Sequence, residues 1–205
     1  MTQETGVIDA MGLLRAAGIP DATIDSVLEI DAVLQKWRRR AMRREIGHRA
    51  LTDLKVGIDL AQFDVLVAID APANEFGATA GETMVATVAE RLAIDPSRAS
   101  RVVSEMVELG YAKRAVSQAD ARRTIIELTE AGMAVVEAVR AYKFLLMGDF
   151  LKSWDDAELA AFVPLLQRFE AWGDDAVERT AKFSGDIEGL AASVARTRKV
   201  TAKAG

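Results

Sequence analysis

Apolar residues recur at spacings of three and four along most of this 205-residue chain and cluster as β-branched runs over one short region only. That pattern predicts helices nearly throughout and a single strand pair. A short amphipathic helix over 5–17 ends at Gly18 and Pro20. Asp21 or Thr23 then opens a long helix whose apolar stripe takes in Ile24, Val27, Leu28, Leu34, Trp37, Ala41, Met42 and Ile46. Asp59 and Gln62 stand at capping-box spacing before a helix over 60–69, which must stop before Pro72. The stretch 73–82, with Gly77 and Gly81, reads as a loop. Amphipathic helices over 130–151 and 155–172 meet near Ser153, and Ser184 caps a last helix carrying Phe183, Ile187, Leu190 and Val194. The final ARTRKVTAKAG reads as a basic, mobile tail.

The densest signals lie between Thr87 and Gly132. Val88, Ala89, Leu92 and Ile94 mark a short helix that stops before Asp95-Pro96, where a carboxylate caps free N–H groups and proline suits the first helical position. The next helix turns Ala99, Val102, Val103, Met106 and Leu109 inward and leaves Ser97, Arg98, Ser100, Arg101 and Ser104 outward, and Gly110 stops it. Two strands, 111–116 and 124–128, flank a polar loop over 117–123, and Thr129 caps the helix after them. Helix, helix, hairpin, helix is the order of a winged helix-turn-helix. The hairpin adds Lys113, Arg114, Arg122 and Arg123 to the exposed basic set, a surface suited to phosphates. Spacing alone leaves a second reading open, because short capped helices surround hairpins in many α+β proteins that never touch DNA.

Asp120-Ala121-Arg122, followed by Leu128-Thr129 and Gly132, resembles the D-x-R... L-T-x-x-G wing signature of the multiple-antibiotic-resistance repressor (MarR) family of bacterial transcription regulators. The likeness extends upstream through LAQFDVLVAI at 60–69 and covers roughly 24–172. It implies that Ser97, Arg98, Ser100, Arg101 and Ser104 belong to a recognition helix entering the major groove, and that Arg122 is a wing-tip arginine in the minor groove. It also implies that Asp120 orients the wing through a local ion pair with an arginine; read by itself, Asp120 is equally a plain turn former. Ala121 stands where a second arginine is common in the family, so Arg123 takes part of that role.

Composition narrows the function further. With no cysteine, the chain has no disulfide, thiolate metal site or thiol switch. The net charge of −5 opposes nucleic-acid binding only as an average, and position matters more than the sum. Between Ser97 and Arg123 six basic residues face only Glu105, Glu108 and Asp120. The chain has no leader-like N-terminus and no run of roughly 18 apolar residues, so a cytoplasmic protein without a membrane segment is expected. Walker, dinucleotide-binding and serine-elbow motifs are missing, and His48 is the sole histidine. No catalysis, cofactor or metal is expected. The basic stretch KWRRRAMRREIGHR at 36–49 sets Lys36, Arg39, Arg40 and Arg43 on one helical face, which reads either as solvated or paired charge or as an anion-binding stripe.

The expected architecture is mainly α with a small β-wing. A winged helix-turn-helix DNA-binding lobe over 58–129 joins a helical dimerisation region built from 1–57 and 130–205, because the terminal helices have more apolar face than one small lobe can cover. The expected function is that of a homodimeric, ligand-responsive regulator, a repressor on an inverted-repeat double-stranded DNA operator. A non-DNA-binding dimeric scaffold for a protein partner is the alternative. By resemblance, a small aromatic or anionic effector binds where the dimer helices meet the lobe. The candidate wall is Trp37, Arg38, His48 and Phe63, although Trp37 and Phe63 also read singly as plain core.

Overall fold

The computed structural model describes residues 8–71, 76, 81–173 and 176–204. Its elements are α1 (Ala10–Ala16), α2 (Asp21–Arg43), α3 (Glu45–Asp53), α4 (Leu60–Asp70), α5 (Val85–Arg91), α6 (Pro96–Glu108), β1 (Ala112–Val116), β2 (Thr124–Leu128), α7 (Glu130–Leu151), α8 (Asp156–Glu170), α9 (Ala176–Lys182) and α10 (Ser184–Ala204). They divide into two compact units, one over Arg40–Ser153 and one formed by Met1–Arg39 with Trp154–Gly205.

The core of the first unit is organised around α4. Asp59 accepts from the Gln62 N–H while the Gln62 side chain accepts from the Asp59 N–H, so the expected capping box starts the helix. Val65 to Ile69 are all buried, which fits a helix enclosed on every side. Around it pack α3, α5, α6, α7 and β2. Ala50 and Leu51 of α3 and Val136 and Val139 of α7 join the same core, so this unit draws on helices beyond 58–129. The first half of α7 buries Gly132, Val136 and Val139, whereas Phe144, Leu145, Leu146, Met147 and Phe150 further along are exposed.

The long N-terminal helix is not continuous. Arg44 takes a left-handed conformation (φ +51°) and separates α2 from α3, so the basic stretch 36–49 is split between two helices. Helical periodicity cannot reveal this break, since no glycine or proline marks it. Leu109 also departs from expectation: it caps α6 and is exposed rather than turned inward.

In the second unit, Asp9 caps α1 by accepting from the Gly12 N–H, and Ile24 of α2 is buried. Residues 5–7 of the expected first helix lie outside the described residues. So does most of the expected loop at 73–82. Asp155 and Glu158 form a capping box for α8, which holds Pro164 in its interior. Trp154 meets Phe162 edge to face, with ring centroids 5.1 Å apart. The basic tail continues α10, which runs to Ala204.

Candidate nucleic-acid interface

α5 and α6 form the helix pair. After α5 the chain turns at Ala93 (φ +49°), with the Ile94 N–H returning to the Ala89 carbonyl as in a helix-ending Schellman turn. Asp95 then accepts from the N–H groups of Ser97 (2.8 Å) and Arg98 (3.3 Å), and Pro96 fills the first helical position. Ala99, Val102, Val103 and Met106 anchor α6 on the core, and Gln62 of α4 donates to Glu105 of α6 (3.2 Å). What remains exposed on α6 is Ser97, Arg98, Ser100 and Arg101, with Ser104 half-buried.

β1 and β2 pair antiparallel, Ala112 opposite Leu128 and Val116 opposite Thr124. Lys113 pairs with Glu127 directly across the strands (3.2 Å). Arg114 reaches back to α6, donating to the Ser104 hydroxyl at 3.1 Å, while Ser104 itself donates to the Ser100 carbonyl. Recognition helix and wing strand are thereby joined directly. On the wing loop Asp120 accepts from the Arg122 N–H (3.0 Å) and pairs with Arg123 (3.3 Å). The local ion pair expected of Asp120 is therefore made with Arg123, leaving Arg122 projecting. Arg101 lies 3.9 Å from Glu105, whereas the guanidinium groups of Arg98 and Arg122 have no partner among the described residues.

The hairpin is followed by a tight junction. The Thr129 N–H donates to the Tyr111 carbonyl (3.0 Å), the Thr129 hydroxyl donates to the Gly110 carbonyl (2.7 Å), and that hydroxyl oxygen accepts from the Gly132 N–H. A Cβ on Gly132 would sit 2.0 Å from the Tyr111 carbonyl oxygen, so only glycine fits at the end of the L-T-x-x-G motif.

Of the four residues assigned to a ligand wall, His48 and Phe63 line different pockets of the first unit. Trp37 and Arg38 belong to the terminal unit, where Trp37 is exposed and Arg38 donates to Gln35 (2.9 Å). His48 opens onto a groove of 680 Å³ with Glu45, Arg49, Asp53 and Leu146. Phe63 instead lines a 240 Å³ pocket with Ala50, Val67, Val136 and Val139. That second pocket carries Arg44, Arg140 and Lys143, none of which the sequence pattern singled out. Arg44 makes a two-pronged ion pair with Asp64 (2.7 and 2.5 Å), and Arg140 pairs with Asp70 (3.0 Å). Their convergence depends on how α3, α4 and α7 pack, and nothing in their spacing announces it. Among the described residues there is no group of three or more acidic, histidine or cysteine side chains that could hold a metal ion. Among the same residues no helix is long and apolar enough to cross a membrane.

Comparisons agree with this geometry. Residues 56–123, about a third of the chain, match the model of the MarR family. The structure is similar to a MarR family protein from Bacillus stearothermophilus, at 21% identity over 73% of this chain and 96% of that one, with a TM-score of 0.59. It is similar also to RV1404 from Mycobacterium tuberculosis, at 23% identity over 74% and 94%, TM-score 0.55. A third likeness is to S. aureus MepR bound to ethidium bromide, at 18% identity over 66% and 94%, TM-score 0.50. No curated protein matches the sequence. At these identities the solved structures share a fold with this chain, and the family match takes in α5, α6, β1 and the loop after it but stops before β2. Residues 56–123 thus resemble the MarR family in sequence, and the chain shares the fold of MarR-family structures.

Proposed function

We propose that the chain acts in the cytoplasm as a homodimeric repressor that holds an inverted-repeat DNA operator through α6 and the wing and is released by a small anionic effector. The observation that carries the DNA reading is the Arg114–Ser104 bond, which joins recognition helix and wing into one surface from which Arg98 and Arg122 project with no side-chain partner among the described residues. An exposed guanidinium with no carboxylate to satisfy it is poised for phosphate or a base edge. Ser97, Ser100 and Arg101 supply major-groove contacts, and Lys113 and Arg123 supplement the backbone contacts.

Dimerisation accounts for the apolar surface that one protomer leaves uncovered. Val33, Trp37, Leu145, Phe150, Leu165 and Trp172 are each at least 60% exposed, more large apolar surface than a stable monomer displays. This supports a helical dimerisation region built from the N- and C-terminal segments on either side of 58–129. Two-fold symmetry then places half-site centres about 10 base pairs apart.

The effector reading rests on the pocket around Phe63, where Lys143 stands beside Arg44 and Arg140, already paired with Asp64 and Asp70, above an apolar floor. MepR binds ethidium, an aromatic cation, whereas the basic lining here suits an aromatic or aliphatic carboxylate. Mobility-shift titration of the purified protein on DNA flanking its own reading frame, with and without benzoate-like carboxylates, tests both halves. Binding that a carboxylate reverses supports the proposal. Absence of any shift would favour a scaffold that binds a protein partner.

A further inference from the structure

A cluster outside the expected contact set governs how the wing is presented. Thr83 is buried and its carbonyl accepts from the Ile126 N–H of β2 at 2.7 Å, so this segment lies along the hairpin. Arg91 of α5 fastens it from behind, donating to the Thr83 hydroxyl (2.8 Å) and to the Ala68 carbonyl at the end of α4 (2.7 Å). Glu82 is the next residue along from this fixed point, and its carboxylate accepts from the Gln118 N–H in the wing loop at 2.6 Å.

The bonds continue into the loop. Ser117 is buried, and its oxygen accepts from the N–H groups of Ala119 (3.1 Å) and Asp120 (3.0 Å). Asp120 in turn accepts from the Arg122 N–H. The Ser117 N–H closes the loop on the Arg123 carbonyl at 3.0 Å. Glu82 thus holds Gln118, the neighbouring Ser117 holds Asp120, and Asp120 holds the backbone of Arg122.

We infer that Glu82 is a positioning residue for the wing, its carboxylate fixing the base of loop 117–123 and so the point from which Arg122 reaches DNA. The inference rests on the DNA-binding reading above. A negative charge so close to a DNA-facing loop would repel phosphate if left free. Here it is held by the Gln118 N–H and shares a groove with Arg123, so the repulsion is offset while the loop gains order before binding. Ordering one residue costs about 1–2 kcal/mol, and a loop arranged in advance spares that cost at the moment of association.

The test uses the protein in five forms: wild type, Glu82→Ala, Glu82→Gln, Arg122→Ala and the Glu82→Ala/Arg122→Ala double variant that closes the cycle. Backbone hydrogen exchange at Gln118, Ala119 and Asp120 reads the loop without DNA. Affinity against salt is measured on a duplex that the wild-type protein selects from a random pool. Expected results are faster exchange at those amides in Glu82→Ala, a roughly tenfold weaker complex corresponding to the ordering cost of one residue, and a salt slope lowered by about 1, as in Arg122→Ala. The double variant should lose little beyond Arg122→Ala alone. Glu82→Gln, which keeps one acceptor and the fold, should fall between. Faster exchange with unchanged affinity, or losses that add fully in the double variant, would overturn the assignment. If protected wild-type amides coincide with no binding to any duplex, the DNA reading itself fails and this inference falls with it.

Discussion

Arg44 and Asp64 are joined by two parallel hydrogen bonds, 2.7 and 2.5 Å, although Arg44 sits in a left-handed backbone conformation at the break between α2 and α3. The pair ties that break to α4, the helix at the centre of the core. It also places a guanidinium at the rim of the Phe63 pocket, so one arginine serves the chain turn and the pocket lining together.

The two contributions separate by substitution. Left-handed backbone costs a non-glycine residue about 1–2 kcal/mol, and a partly exposed two-pronged pair contributes roughly 1 kcal/mol. Arg44→Ala loses the pair and keeps the backbone cost, whereas Arg44→Gly loses both. Urea denaturation should therefore find the alanine variant about 1 kcal/mol less stable than the glycine variant. Equal stabilities would show that the left-handed turn does not persist in solution.

Gly132→Ala should be among the most destabilising single changes in the lobe. The added methyl meets the Tyr111 carbonyl oxygen at 2.0 Å and the Leu128 side chain at 3.3 Å, and Tyr111 is held by the Thr129 N–H. Backbone cannot yield as a flexible side chain would, so a loss of about 2–3 kcal/mol is expected. A urea midpoint within a few tenths of a molar of wild type would contradict this packing.

Wing and recognition helix should differ in what their loss changes. Arg122→Ala should weaken binding to all sequences and lower the salt slope by about 1. Arg101→Ala should instead relax the preference at one base pair per half-site, worth about 1–3 kcal/mol. Selection from random duplexes separates them: an unaltered preference in Arg101→Ala removes that side chain from base readout.

Acid should release the wing loop through Glu82. The Ser117 hydroxyl first, then the Gln118 N–H, hold its carboxyl below the usual glutamate range, with Arg123 adding to the effect. A group depressed in the folded state contributes its stabilisation above the unfolded value, near 4.3, and loses it as pH falls through the lower folded value. Loop amides should thus stay protected through neutral pH and lose protection only well into acid. Asp120 faces the same loop, so the part due to Glu82 is the step absent from Glu82→Gln. Identical acid profiles in the two proteins would remove Glu82 from that transition.

How far the sequence reached depended on the range of the interaction concerned. Capping and hairpin signals act over a few residues, so Asp59 with Gln62, Asp95 with Pro96, and Thr129 with Gly132 marked the starts of α4, α6 and α7 before any coordinates did. The same locality made α6 and the wing legible as an exposed basic pair of elements. It failed where a distant partner overrides local preference. Arg44 breaks a helix that its neighbours favour because Asp64, twenty residues on, stabilises the break. Glu82 looked like an unremarkable loop residue until folding carried it to Gln118. Trp37 and Phe63, both aromatic, lie in different compact units, while Arg44, Arg140 and Lys143 meet in one pocket. Short-range hydrogen-bond geometry is thus written in the order of residues. Pockets and ion pairs between helices are set by packing, because side chains far apart in sequence become neighbours only once the core has closed.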